Sequence, residues 1–341
     1  MSRVFRKMVP FMISKEIISM REYSEIRESV YKEDGRGYPA GTLVDLVLKP
    51  AYEEAKKFRL GPMVTANEAQ LVMLTECGIV SKEDARVIFA ALENTDYGKY
   101  AGKEYDGSFE DLFFEIENEL INKTGGLAGN IHIARSRNDL SLSMDHIMVR
   151  TALLEVIKEM NNLLEAVGAF AKEHRNTLYV AHTHTQHAQP SLLGHYFLGV
   201  FDVICRDIKR LENAYGKANS SPLGAAAITT SGFPVNRFRV AELMGFSSVI
   251  ENSYDSIGNI DFNTESATAV MLTAIDLGRV VTDLILWATE EMHMIRVADG
   301  YISTSSIMPQ KRNPIALEHL RSSLSVIKGI CGSVLDGYTK T

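Results

Sequence analysis

The stretch from Asp139 to His174, DLSLSMDHIMVRTALLEVIKEMNNLLEAVGAFAKEH, decides the class of fold. It contains no proline, and Leu140, Met144, Ile147, Met148, Leu154, Ile157, Leu164 and Val167 recur at the three-and-four spacing of a single buried stripe. A helix of this length spans about 50 Å, well beyond the common globular helix. Two more long helices follow. One runs from Ser191 to about Ala218 with Leu193, Phe197, Val200, Phe201, Ile204, Ile208 and Leu211, and the next from Phe262 to about Ile295. The latter is apolar on more than one face (Val270, Leu272, Ile275, Leu277, Val281, Leu284, Leu286, Trp287), so its burial needs more neighbours than one chain supplies. A fourth helix begins at Pro314 and ends near Leu335. On the N-terminal side, shorter and more polar helices are expected over 66–76, 82–94 and 108–123. The expected fold is all-α, with a small helical N-terminal domain over 1–125 and a central long-helix bundle over 126–341. Strand-like alternation is confined to Arg237 to Val240 and Ser247 to Ile250, which would form a minor hairpin. Residues 1–45 carry no clear signal.

The 341 residues include 36 basic and 43 acidic side chains with no basic block, which argues against nucleic acid as a partner. Cys77, Cys205 and Cys331 are odd in number and lack any Cys-x-x-Cys spacing, the usage of a reducing, cytoplasmic compartment. Near the N-terminus the apolar run Val9 to Ile13 is broken by Pro10 and followed by Lys15 and Glu16, too short for a signal peptide. No apolar run is long enough to span a membrane.

Three polar clusters each precede a long helix: Arg135-Ser136-Arg137-Asn138-Asp139, His182-Thr183-His184-Thr185-Gln186-His187-Ala188-Gln189-Pro190, and Ser303 to Pro314. The first ends in helix-capping residues, the second in a proline suited to a first helical turn, and the third in Asn313-Pro314. Free amides and the helix dipole make such termini anion sites, so a substrate bearing carboxylates is expected. If the long helices alternate up and down, Asn138 lies at one end of the bundle and His184 and Ser305 at the other. A complete site then draws Asn138 from another subunit, which implies an obligate homo-oligomer.

The third cluster, Ser305-Ser306-Ile307-Met308-Pro309-Gln310-Lys311-Arg312-Asn313-Pro314, resembles the signature loop of the fumarase, aspartase and argininosuccinate lyase superfamily. Gln310 before Lys311 is the form of argininosuccinate lyases. Ser136-Arg137-Asn138-Asp139 and Thr183-His184 match in type, order and spacing, from about Ala66 onward. The resemblance implies a tetramer built around a twenty-helix core and β-elimination of fumarate from an N-succinyl amine, argininosuccinate giving arginine. It implies Ser305 as the base that removes a proton beside a carboxylate, with Lys311 and the following helix terminus stabilising its alkoxide and the aci-carboxylate. Asn138 and Thr183, with Ser136, Arg137 and Gln310, would bind substrate, and Asn313 would hold the loop. His184, acting with Glu318, would assist proton transfer to the leaving nitrogen. On composition alone the Ser305 loop is a flexible polar loop and Glu318 a surface residue.

His182, His184 and His187 also invite a zinc reading. Cysteine ligands are absent nearby and no His-Glu-x-x-His pattern occurs, so no metal is expected. His132 and His195 read as structural hydrogen-bonding residues. Gly125, Gly126 and Gly129 make no nucleotide loop, so no dinucleotide cofactor is implied.

The pattern departs from argininosuccinate lyases where the amine half would bind. A Glu-Asp-x-His motif is Glu110-Asp111-Leu112-Phe113, without the histidine. An Asp-Arg-Asp-Phe element after Glu251-Asn252-Ser253 is Asn259-Ile260-Asp261-Phe262, without the arginine. A Trp-Gly-Gly-Arg-Phe stretch is missing, and the amine-contacting region is rewritten around Tyr52 to Met63. Ethylenediamine-disuccinate lyase, a divergent relative acting on another N-succinyl amine, and the inactive delta-crystallins are therefore the alternatives. The chain stops at Thr341, before the small third helical domain of the family, and is expected to lack it.

Overall fold

The computed structural model describes residues 38–337; the run Val9 to Ile13 and most of 1–45 lie outside them. The described residues fall into two compact units. The first extends to Met148 and resumes over Ser221–Ile257; the second comprises Val149–Ser220 and the chain from Gly258 onward.

In the first unit, helical turns from Gly41 alternate between α and π geometry, the π turns being Val44–Leu48 and Ala55–Arg59. They lead into α1 (Leu60–Glu76), followed by α2 (Lys82–Glu93) and α3 (Leu112–Lys123). Gly78, at φ 72°, ends α1: its amide donates to the Thr75 carbonyl at 3.0 Å while Ile79 donates to Leu74 at 2.9 Å, a Schellman closure that needs a left-handed residue. Ser81 Oγ caps α2 by accepting from Asp84 N at 3.0 Å, and Asp111 Oδ1 caps α3 by accepting from Phe114 N at 3.0 Å. The Asp111 cap explains why α3 begins four residues later than the periodicity from Ser108 predicts. Leu71, Leu74, Ile88, Leu92, Leu112, Ile116 and Leu120 form one core with Leu223, Val240 and Phe246, so the segment after the second long helix packs into this unit. Arg237 to Val240 is no strand: Asn236 Oδ1 accepts from Arg239 N at 3.0 Å and starts helix α6 (Arg237–Leu243). Its neighbour Ser247 to Ile250 contributes only the two-residue strand Ser248–Val249.

Two half-buried electrostatic features mark this unit. Against the upward push of burial, hydrogen bonds from Lys99, Tyr100 and Lys123 hold the Glu119 carboxyl at about 2. Burial, with Arg135 beside it, holds the His132 imidazole down at about 4, and His132 Nδ1 has no hydrogen-bond partner. Between pH 6.5 and 4 an unfolded chain takes up a proton at His132 that the folded unit refuses, so stability falls as pH drops through that window. The urea midpoint should decline from about pH 6.5 downward, and His132→Gln should flatten the decline above 4.5, before the lowered carboxyl of Glu119 begins to contribute. An unchanged slope in His132→Gln would show that another group titrates.

The long helix α4 (Arg137–Glu173) has 37 residues. After it come strands β1 (Leu178–Thr183) and β2 (Gln186–Leu192), then α5 (Leu193–Ala218), α7 (Ser253–Gly258), α8 (Asp261–Trp287), strands β3 (Ser303–Thr304) and β4 (Arg312–Asn313), and α9 (Ile315–Gly337). In the second unit Leu153, Met160, Val200, Ile204, Ile208, Leu211, Phe262 and Ala269 form the main core, and Ala274, Val281 and Leu324 join α8 to α9. Tyr196 Oη donates to Asp283 Oδ2 at 2.7 Å, tying α5 to α8. Helix α8 ends at Trp287, earlier than Ile295. The Thr289 hydroxyl accepts from Met292 N at 3.2 Å, His293 turns left-handed at φ 47°, and Met294 N returns to the Trp287 carbonyl at 3.0 Å. Leu272, Ile275 and Leu286 of α8 and Leu320, Val326 and Ile330 of α9 remain exposed. No helix among the described residues is long and apolar enough to cross a membrane.

Candidate active site

The histidine cluster is a β-hairpin, which periodicity did not reveal. Leu178 pairs with Leu192 at its base and Thr183 with Gln186 at its tip, leaving His184 and Thr185 as a two-residue loop. Both loop residues are left-handed, at φ 52° and 62°, the conformation that twists two strands into a tight hairpin and that asparagine-glycine pairs normally supply. A histidine and a threonine held there store backbone strain, a feature that clusters at functional sites. Pro190 is therefore not the first residue of a helix. It pairs with Val180 in β2, and α5 starts at Leu193 with no side-chain cap. Thr183 and His184 are exposed at the far end of the ribbon from that helix terminus, so the anion-site argument from the helix dipole does not apply to them. His182 and His187 pair across the strands with ring centroids 4.9 Å apart. Beneath them a cavity of about 310 Å³ is lined by Tyr179, Trp287, Glu291 and Met294.

Strands β3 and β4 pair Ser303 with Asn313 and Thr304 with Arg312, and the intervening loop carries Ser305, Gln310 and Lys311. Ser305 Oγ accepts from two backbone amides, Ile307 N at 3.3 Å and Met308 N at 3.2 Å. Donors aimed at a hydroxyl oxygen favour its anionic form. The Lys311 amide donates to the Met308 carbonyl at 3.0 Å and closes the turn, while Gln310 and Lys311 project into solvent. Arg312 anchors the hairpin through the Val297 carbonyl at 3.2 Å and through Asp299, and that second bond holds the Asp299 carboxyl below its ordinary range. Asn313 ends β4, the Pro314 carbonyl accepts the Glu318 amide at 3.1 Å, and Glu318 is exposed in the first turn of α9. Among the described residues His184 and Glu318 share no hydrogen bond or ion pair within the chain.

In the first unit, Ser136 precedes α4 and Asp139, three residues on, accepts the Ser136 amide at 2.8 Å, the reciprocal arm of a capping box; Ser136 Oγ accepts Asn138 N at 3.3 Å. Burial pushes the Asp139 carboxyl upward, opposed by hydrogen bonds from three backbone amides. Arg137 bonds Glu110 at 3.0 Å and Asp111 at 2.6 Å and lies over the Phe114 ring, so acidic neighbours already occupy much of the guanidinium. Asn138 is exposed. Arg135 is buried with only Nη2 bonded, to Asn67 Oδ1 at 2.8 Å, and burial lowers its pKa to about 10.

The family's model described as Lyase matches residues 104–329 of this chain. The chain belongs to the lyase family. It is 39% identical over 307 residues to argininosuccinate lyase 2 of Agrobacterium fabrum, covering 89% of this chain and 61% of that protein. With the argininosuccinate lyase of Methanocaldococcus jannaschii it shares 40% over 262 residues, 76% of this chain and 54% of the relative. A solved EDDS lyase variant with bound fumarate superposes with a TM-score of 0.76 at 31% identity, over 91% of this chain and 61% of that one. The chain thus spans less than two thirds of the length of these relatives, and the resemblance to argininosuccinate lyases and the all-α class are borne out.

Within this chain, some of the departures from the family pattern fall on core positions, while Ile260, standing where the family has arginine, is half-buried and Phe58 is exposed. Phe113, standing where the motif has histidine, is 8% exposed with its ring 5.5 Å from that of His132. Tyr52 and Met63, taken to bound the amine-contacting region, are buried, and Tyr52 Oη donates to Glu115 Oε2 at 2.6 Å. Both side chains belong to the core of the first unit. The Ser305 amide donors and the hairpin strain at His184 are the two features that sequence reasoning missed, since neither depends on side-chain pattern.

Proposed function

We propose that this chain is an argininosuccinate lyase, splitting a carbon–nitrogen bond by β-elimination to release fumarate and arginine. The observation that carries the reading is Ser305 Oγ held by two backbone amides, on a loop bearing Lys311, in a chain 39% identical to a protein of that name. As alkoxide, Ser305 takes the proton from the carbon next to a carboxylate. The electron pair moves first into that carboxylate, as an aci-carboxylate beside Lys311, and then expels the amine nitrogen as the double bond of fumarate forms. His184, with Glu318, delivers the proton to the departing nitrogen. Ser136, Asn138, Thr183 and Gln310 bind the carboxylates, Asn313 fixes the loop, and Arg137 acts as a charge shared with Glu110 and Asp111.

We further propose a homotetramer working in the cytoplasm. The exposed apolar side chains of α8 and α9 form the kind of surface that subunit contact covers. Asn138, in the first turn of the 37-residue α4, would be offered to a site completed by other subunits.

The test follows fumarate by its ultraviolet absorbance. Purified protein should release fumarate from argininosuccinate, and should consume it when fumarate is offered with arginine. Consumption only with a diamine would identify the EDDS-lyase-like alternative, and no change with any amine would overturn the elimination reading.

A further inference from the structure

Asp139 is 0% exposed and spends both carboxylate oxygens on backbone amides of two separate segments. Oδ1 accepts from Ser136 N at 2.8 Å, and Oδ2 from Gly224 N and Ala226 N, each at 2.9 Å. The second segment is a loop with unusual backbone: Gly224 lies at φ 92°, and Ala226 and Thr230 are left-handed at 54° and 64° although neither is glycine. Such conformations persist only where surrounding structure imposes them. Arg237 grips the loop from its other side, donating to the carbonyls of Leu223 at 3.2 Å and Ile250 at 2.8 Å; a Cβ on Gly224 would stand 2.6 Å from Arg237 Cγ. The residue after Ala226 then does something specific. The Ala227 carbonyl accepts from Asn138 Nδ2 at 3.2 Å. A flipped Asn138 amide would set its oxygen against that carbonyl, so the loop dictates which end of the amide is which.

We propose that Asp139 is a positioning residue that, through the clamped loop 224–227, fixes the Asn138 amide with one N–H spent on Ala227 and the other left for a substrate carboxylate. This deepens the elimination reading and rests on its placing of Asn138 at a carboxylate. The clamp uses only backbone groups of the loop, so it sets geometry without contacting substrate.

The test is a double-mutant cycle on fumarate affinity, read by calorimetry on the full chain, which needs no turnover and so separates failure of this inference from failure of the elimination reading. Asp139→Asn and Asn138→Ala should each weaken fumarate binding about tenfold, and the double variant should bind no worse than Asn138→Ala alone. Asp139→Asn should also raise KM more than it lowers kcat wherever turnover is measurable. Additive losses, wild-type affinity in Asp139→Asn, or no fumarate binding by the wild type would overturn the proposal. Should Asp139→Asn fail to fold, Ala226→Gly relaxes the left-handed constraint without unpairing a buried group. It should weaken fumarate binding several-fold in the Asn138 background and have no effect beside Asn138→Ala; equal effects in both would overturn the proposal.

Discussion

Ser305→Ala should lower fumarate release by at least about a thousand-fold while leaving helicity and oligomer mass unchanged. The size of the effect follows from what the hydroxyl is asked to do. An ordinary serine hydroxyl is far too weak a base for a carbon acid, and the geometry around Ser305 addresses that deficit through the amides of Ile307 and Met308, at 3.3 Å and 3.2 Å. Those donors are part of the turn itself and cost no reorganisation when charge develops. Alanine removes the oxygen and leaves two exposed amides, which water satisfies, so the fold should lose little. Residual activity equal to wild type would eliminate Ser305 as the base. Lys311→Met should act in the same direction, because its Nζ forms no ion pair among the described residues and remains available to a developing negative charge.

Mixing inactive His184→Asn protein with inactive Asn138→Ala protein should restore activity. Each variant alone carries one defect in every site. If a site draws Asn138 from one subunit and His184 from another, hybrid oligomers contain some sites with both residues intact. The two residues stand on different kinds of support: Asn138 in the first turn of α4, within a capping box, and His184 at the strained tip of the β1–β2 hairpin. Recovery should need subunit exchange and should be absent when the two pools are cross-linked before mixing. Exchange demonstrated by mass without recovery would refute the shared site.

The amino-acid sequence determined the long helices and the loop that names the family, because both are local. A proline-free run with apolar residues three and four apart can bury its stripe only as a helix, and α4 starts within two residues of the periodic signal. The Ser305 to Pro314 string is likewise contiguous, so its chemistry could be read residue by residue. The β1–β2 hairpin was not legible: β2 is exposed along nearly its whole length, and the turn uses histidine and threonine at positive φ where glycine and asparagine are the usual signal. Tyr52 and Met63, at the two ends of the region expected to contact the amine, are core, since burial depends on what distant helices bring to a position. Asp139 reads in the sequence as one more helix-capping residue. Only the tertiary structure made it a clamp, by returning Gly224 and Ala226 to its second oxygen and setting the Ala227 carbonyl against Asn138. Spacing along the chain fixes what one helix or one loop can do, whereas a buried carboxylate takes its partners from wherever the packed chain returns.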